Sequence, residues 1–114
     1  MDLGLKGKVV MLTGASRGLG RAMASALSAE GVDLSICARG GDALAAAAAD
    51  LKAAGASVLA QAADVNDAAA MEAWTSATVK EFGGVDILVN NAGGAKVGTP
   101  QTARRRRLAS GLRS

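Results

Sequence analysis

The chain has 114 residues, half of them hydrophobic, with Trp74 and Phe82 as its only aromatic side chains and no tyrosine or histidine. That length accommodates one small domain with a single core, and no apolar run approaches the ~20 residues of a membrane span. Residues 1–99 carry eight basic and ten acidic side chains, whereas the remainder carries five arginines and no acid, so the net charge of +3 belongs to the tail and not to the folding part.

Val9 to Thr13 is an apolar run without alternation, which predicts a strand buried on both faces. The glycine-rich bend Thr13-Gly14-Ala15-Ser16-Arg17-Gly18-Leu19-Gly20 follows it and opens a helix-like stretch from Arg21, whose apolar stripe is read as Leu19, Ala22, Met23, Ala26 and Leu27. Gly31 supplies a left-handed stop. Val32 to Ala38, held between Gly31 and Gly40, is a second strand. Asp42 is read as the N-cap of a second helix with Leu44, Ala47, Ala48 and Leu51 on one face, closed by Gly55. Ser57 to Ala62 is a third strand. Asp67 caps a third helix with Met71, Trp74, Thr78 and Phe82 inward, ended by Gly83 and Gly84; Val85 to Asn90 is a fourth strand, followed by Asn91-Ala92-Gly93-Gly94.

Strands alternating with helices need crossover connections, which build a parallel sheet covered on both faces. The expected fold is α/β: a Rossmann-like doubly wound parallel sheet, strand order 3-2-1-4, truncated after the fourth strand. Residues 1–99 form a partial dinucleotide-binding domain and residues 100–114 a basic, disordered tail, with Pro100 where periodicity ceases. The glycine bend, Asp64-Val65 and Asn90-Asn91-Ala92-Gly93 all fall at the carboxyl ends of predicted strands, the rim where ligands bind in open α/β sheets. A bend of this kind brings backbone N–H groups close to a phosphate at the positive end of a helix dipole.

Thr13, Gly14, Gly18 and Gly20, spaced as Thr-Gly-three residues-Gly-residue-Gly, together with Asn90, Asn91, Ala92 and Gly93, resemble the signature of the short-chain dehydrogenase/reductase family, over residues 5–99. The resemblance implies an NAD(P)-dependent oxidoreductase that moves hydride between a nicotinamide and a carbonyl or alcohol substrate. It places Gly14, Ser16, Arg17, Gly18, Leu19 and Gly20 around the cofactor phosphates, Asp64 and Val65 against the adenine, and Asn91, Ala92 and Gly93 along the ribose and nicotinamide.

An acid at the end of the second strand would accept bonds from both adenosine ribose hydroxyls and repel a 2′-phosphate. Here Ala38 stands at that end, followed by Arg39, with Arg17 in the neighbouring bend. Two guanidinium groups favour a 2′-phosphate, so NADP is expected ahead of NAD.

The family transfers its proton through a tyrosine whose pKa a lysine four residues later lowers. With no tyrosine in these 114 residues, no catalytic residue is assigned and no turnover is expected of this chain alone. The abrupt change to Arg104-Arg105-Arg106-Arg107 is read as a frameshifted or prematurely terminated reading frame. A stand-alone nucleotide-binding module and a basic-tailed interaction protein are the alternatives; the lack of aromatics around the arginines argues against a nucleic-acid partner. The apolar fourth strand would form a bare sheet edge prone to self-association. One cysteine, Cys37, and no basic-then-apolar leader point to a soluble cytoplasmic protein without a disulfide or a metal site. The substrate is not legible.

Overall fold

The computed structural model describes residues 4–91 and the backbone of residues 101–103. Strands β1 (Val9–Thr13), β2 (Asp33–Ala38), β3 (Ser57–Ala62) and β4 (Ile87–Asn90) alternate with helices α1 (Gly18–Ala29), α2 (Gly41–Ala53) and α3 (Ala68–Phe82). The four strands pair in parallel in the expected order β3-β2-β1-β4.

Successive side chains of a strand point to opposite faces, and both faces of this sheet are apolar. Val10 and Leu12 of β1, Leu34, Ile36 and Ala38 of β2, and Val89 of β4 form one core with Ala24 of α1 and Leu44, Ala48 and Leu51 of α2. Met11 and Cys37 point the other way and pack with Trp74 of α3, Ala63 and Val85. The two-sided burial explains why β1 reads as an unbroken apolar run.

A buried polar link crosses the α3 side. The Thr78 hydroxyl donates to the Trp74 carbonyl at 2.8 Å, a turn back in its own helix, and lies 2.6 Å from the Ser35 hydroxyl of β2. With the Thr78 proton committed to the carbonyl, Ser35 is the donor between the two. Both residues are fully buried, so the pair fixes α3 on the sheet, since slippage would leave the two hydroxyls without partners.

Several local expectations need correction. Helix α1 begins at Gly18, ahead of Arg21, and its inward face is Gly20, Met23, Ala24 and Leu27; Leu19, Ala22 and Ala26 are exposed. In a helix so rich in alanine, two adjacent stripes look equally apolar, and packing against the sheet chose between them. Asp42 lies in the first turn of α2, whose N-cap is Gly40. Asp67 does cap α3, its carboxylate accepting the Ala70 N–H at 3.1 Å, and Gly83 ends that helix at φ 89°.

The fourth strand is not a bare edge. A short strand, β5 (Gln101–Ala103), pairs antiparallel with β4, Asn90 opposite Gln101 and Leu88 opposite Ala103. It lies within the segment expected to be a disordered tail. Three residues are too few for a period-2 pattern to show, and their partner is distant in sequence. The arginines Arg104 to Arg107 lie outside the described residues.

Candidate functional site

Parallel strands deliver four chain segments to one rim of the sheet. Gly14 follows β1, Arg39 and Gly40 follow β2, Ala63, Asp64 and Val65 follow β3, and Asn91 follows β4. Between them lies an open cleft of about 570 Å³ lined by Gly14, Ser16, Arg17, Ala38, Arg39, Gly40, Ala63, Asp64, Val65, Asn66 and Asn90.

The bend at its base is built by close approach. Gly14 and Gly18 sit at φ 65° and 62°, the left-handed region that glycine adopts at no steric cost. Gly20 meets a different requirement. A Cβ there would lie 1.8 Å from the Gly14 carbonyl oxygen and 2.6 Å from Asn91 Nδ2, so the helix packs directly against the bend only because no side chain intervenes.

Thr13 ties this bend to the end of β4. Its hydroxyl donates to Asn90 Oδ1 at 3.0 Å and accepts the Asn91 N–H at 2.8 Å, while Asn91 Nδ2 donates to the Gly14 carbonyl at 3.3 Å. The last turn of β1 and the asparagine pair therefore form one cross-braced unit. The sequence reading used Thr13 only as a motif position; its hydroxyl as the clamp became visible once β1 and β4 were adjacent.

Charge around the cleft is arranged for an anion. No side chain caps α1, and no acid stands in its first turn, which leaves N-terminal N–H groups and the positive end of the dipole available. Arg17, exposed, is the N-cap residue itself. After β2, Arg39 Nε lies 3.8 Å from Asp64 Oδ2, and Asp64 Oδ1 accepts the Asn66 N–H at 2.8 Å.

Nucleophilic chemistry finds no support beneath the bend. Cys37 is fully buried, and burial pushes its thiol up to about 12 despite a backbone hydrogen bond from Gly14 that acts in the other direction. Among the described residues no group of three histidine, cysteine, aspartate or glutamate side chains could hold a metal ion, and no helix is long and apolar enough to cross a membrane.

Of the residues singled out from sequence, Gly14, Ser16, Arg17, Arg39, Asp64 and Val65 line the cleft itself. Gly20 and Asn91 brace it from behind. Gly18 forms the bend, and Leu19 is exposed on the first turn of α1, outside the cleft lining. Ala92 and Gly93 lie outside the described residues. Gly40, Ala63 and Asn66 were missed, although each adjoins a predicted strand end, the one signal that could have found them.

An uncapped helix N-terminus behind a glycine bend, at a cleft on the carboxyl ends of parallel strands, is the arrangement of a Rossmann-like fold, where open α/β sheets take their ligands. The chain matches the family model for short chain dehydrogenases over residues 8–109, and it belongs to that family. The match runs past residue 99, where the sequence pattern placed its end.

Among curated proteins, D-threitol dehydrogenase of Mycolicibacterium smegmatis is 40% identical over 108 residues, covering 84% of this chain and 37% of that protein. L-Sorbose reductase from Gluconobacter frateurii, solved with NADPH and L-sorbose, superposes with a TM-score of 0.80 at 42% identity, covering 87% of this chain and 38% of that one. A short chain dehydrogenase/reductase from Burkholderia phymatum, solved with NAD, gives a TM-score of 0.72 at 37% identity, covering 74% and 30%. The chain thus spans about a third of the length of the relatives it matches. The structural neighbours include complexes with either nicotinamide dinucleotide.

Proposed function

We propose that this chain is the cofactor-binding portion of a nicotinamide-dependent carbonyl or alcohol oxidoreductase and that its cleft takes NADP(H) in preference to NAD(H). The observation that carries the reading is the uncapped N-terminus of α1 behind the Gly14–Gly20 bend, set at the mouth of a cleft with no acid at the end of β2. A dinucleotide bound there would supply the hydride.

The chain's own residues would hold it. Gly14, Ser16, Arg17 and Gly18 offer backbone donors and one guanidinium to the phosphates, with Leu19 and Gly20 completing the turn around them. Asp64 and the Val65 backbone face the adenine. Asn91, braced by Thr13 and Gly14, sets the wall on the nicotinamide side, with Ala92 and Gly93 continuing it. Arg39, its side chain 79% exposed, would turn from Asp64 onto a 2′-phosphate, a charge-assisted and bidentate contact that ribose hydroxyls cannot reproduce.

No turnover is assigned to these 114 residues, because they contain neither a tyrosine nor a histidine to exchange the substrate proton. Titrating the purified chain with NADPH and with NADH by calorimetry tests the reading. NADPH is expected to bind more tightly, and Arg39→Ala is expected to remove most of the difference. Equal affinities in the unaltered chain would reject the NADP preference, and no binding of either would reject the cofactor reading.

A further inference from the structure

At the lip of the cleft, the guanidinium proposed to recognise a 2′-phosphate is already engaged by the carboxylate proposed to recognise adenine. Arg39 Nε stands 3.8 Å from Asp64 Oδ2. The two partners are unequal in freedom. Asp64 is half-buried and held by the Asn66 N–H on its other oxygen at 2.8 Å, a local turn that sets the carboxylate's direction. Arg39 follows β2 on an exposed loop, so the arginine is the member able to leave.

We infer that Asp64 is an intramolecular competitor for Arg39, so that the ion pair at the lip couples recognition of the 2′-phosphate to recognition of the adenine. A ligand bearing a 2′-phosphate displaces the carboxylate from Arg39 and in doing so frees Asp64 Oδ2 for the adenine amino group. A ligand with a plain 2′-hydroxyl offers Arg39 no replacement anion, so it leaves the ion pair in place and shares Asp64 with the arginine. The ion pair is thus a cost met by the 2′-phosphate ligand alone, and Asp64 moderates the selectivity that the direct attraction between arginine and phosphate supplies. The inference rests on the NADP preference proposed above and deepens it by making Asp64 a specificity-determining residue.

Because both side chains are substantially exposed, the competition is modest, and the coupling expected is about two- to fivefold, the range found for surface ion pairs. The test is a double-mutant cycle read with adenosine 2′,5′-bisphosphate and 5′-AMP, two probes that differ only in the 2′-phosphate. Their affinity ratio is measured by calorimetry for the unaltered chain, Asp64→Asn, Arg39→Ala and the double variant, with circular dichroism confirming that all four fold.

Asp64→Asn weakens 5′-AMP binding but raises the ratio in favour of the bisphosphate about two- to fivefold. That rise vanishes when Arg39 is absent. If the rise persists with Arg39→Ala, Asp64 acts only by repelling the phosphate, and the inference is overturned. An unchanged ratio in Asp64→Asn overturns it as well. A ratio of one in the unaltered chain rejects the 2′-phosphate reading itself, which separates that failure from failure of the competition.

Discussion

Gly20 and Gly18 stand two residues apart in one bend, yet substitution by alanine perturbs them through different physics. Gly20 has an ordinary helical backbone, so helix propensity alone predicts that Gly20→Ala stabilises the chain by about 1 kcal/mol. The structure predicts the reverse. The new Cβ would stand 1.8 Å from the Gly14 carbonyl oxygen, far inside the 3.0 Å that real contacts respect, and that obstacle is backbone. Forcing it apart costs about 1–3 kcal/mol as overpacking, and moving Gly14 breaks the hydrogen bond from Asn91, worth about 1 kcal/mol. Set against the propensity gain, the net destabilisation is about 2 kcal/mol.

Gly18→Ala meets nothing within 4 Å. Its cost is the left-handed backbone at φ 62°, about 1–2 kcal/mol, partly offset by the reduced freedom of the unfolded chain. The expected order is therefore Gly20→Ala below Gly18→Ala below the unaltered protein.

Urea denaturation followed by fluorescence measures this directly, because Trp74 is the sole tryptophan, there is no tyrosine, and the indole is fully buried. Asn91→Ala should not rescue Gly20→Ala, since the carbonyl and not the amide is the nearer obstacle. A Gly20→Ala protein as stable as the original, or more stable than Gly18→Ala, would refute the close-approach argument.

The buried hydroxyl pair gives a second test. Thr78→Val leaves the Ser35 donor without its partner in a fully buried site and should cost about 1–3 kcal/mol. Ser35→Ala leaves Thr78 still bonded to the Trp74 carbonyl and should cost less; the reverse order in urea titrations would reject the assignment of Ser35 as donor. Cys37 yields a prediction in pH. Its folded pKa, about 12, lies above the ordinary 9.0, so the folded state favours the protonated thiol and the stability linked to it is complete below pH 9 and lost between about 9 and 12. Cys37→Ala should flatten that part of the stability profile, and the native thiol should resist alkylation at pH 8 until the chain unfolds; rapid alkylation of the folded protein would contradict its burial.

Much of the chain's plan was legible in its residues. An unbroken apolar run marked β1 because a parallel sheet with helices on both sides leaves no polar face, and Leu44, Ala47, Ala48 and Leu51 were correctly read as the inward face of α2 because leucines frame the alanines. Asp67 and Gly83 marked the ends of α3 through side-chain capping and left-handed backbone, both local effects that a sequence carries. The glycine bend and the asparagine pair located the rim of the site for the same reason.

What only the tertiary structure decided was every choice that depends on a distant partner. The inward stripe of α1 follows Gly20, which docks against Gly14 nearby and against Asn91 some seventy residues away. The pairing of β5 with β4, the Thr13 clamp between β1 and the end of β4, and the Arg39–Asp64 pair at the lip of the cleft are likewise products of proximity. Local propensity acts within a turn or two of the chain, whereas a hydrogen bond or an ion pair is decided by the few ångströms that only the folded sheet creates.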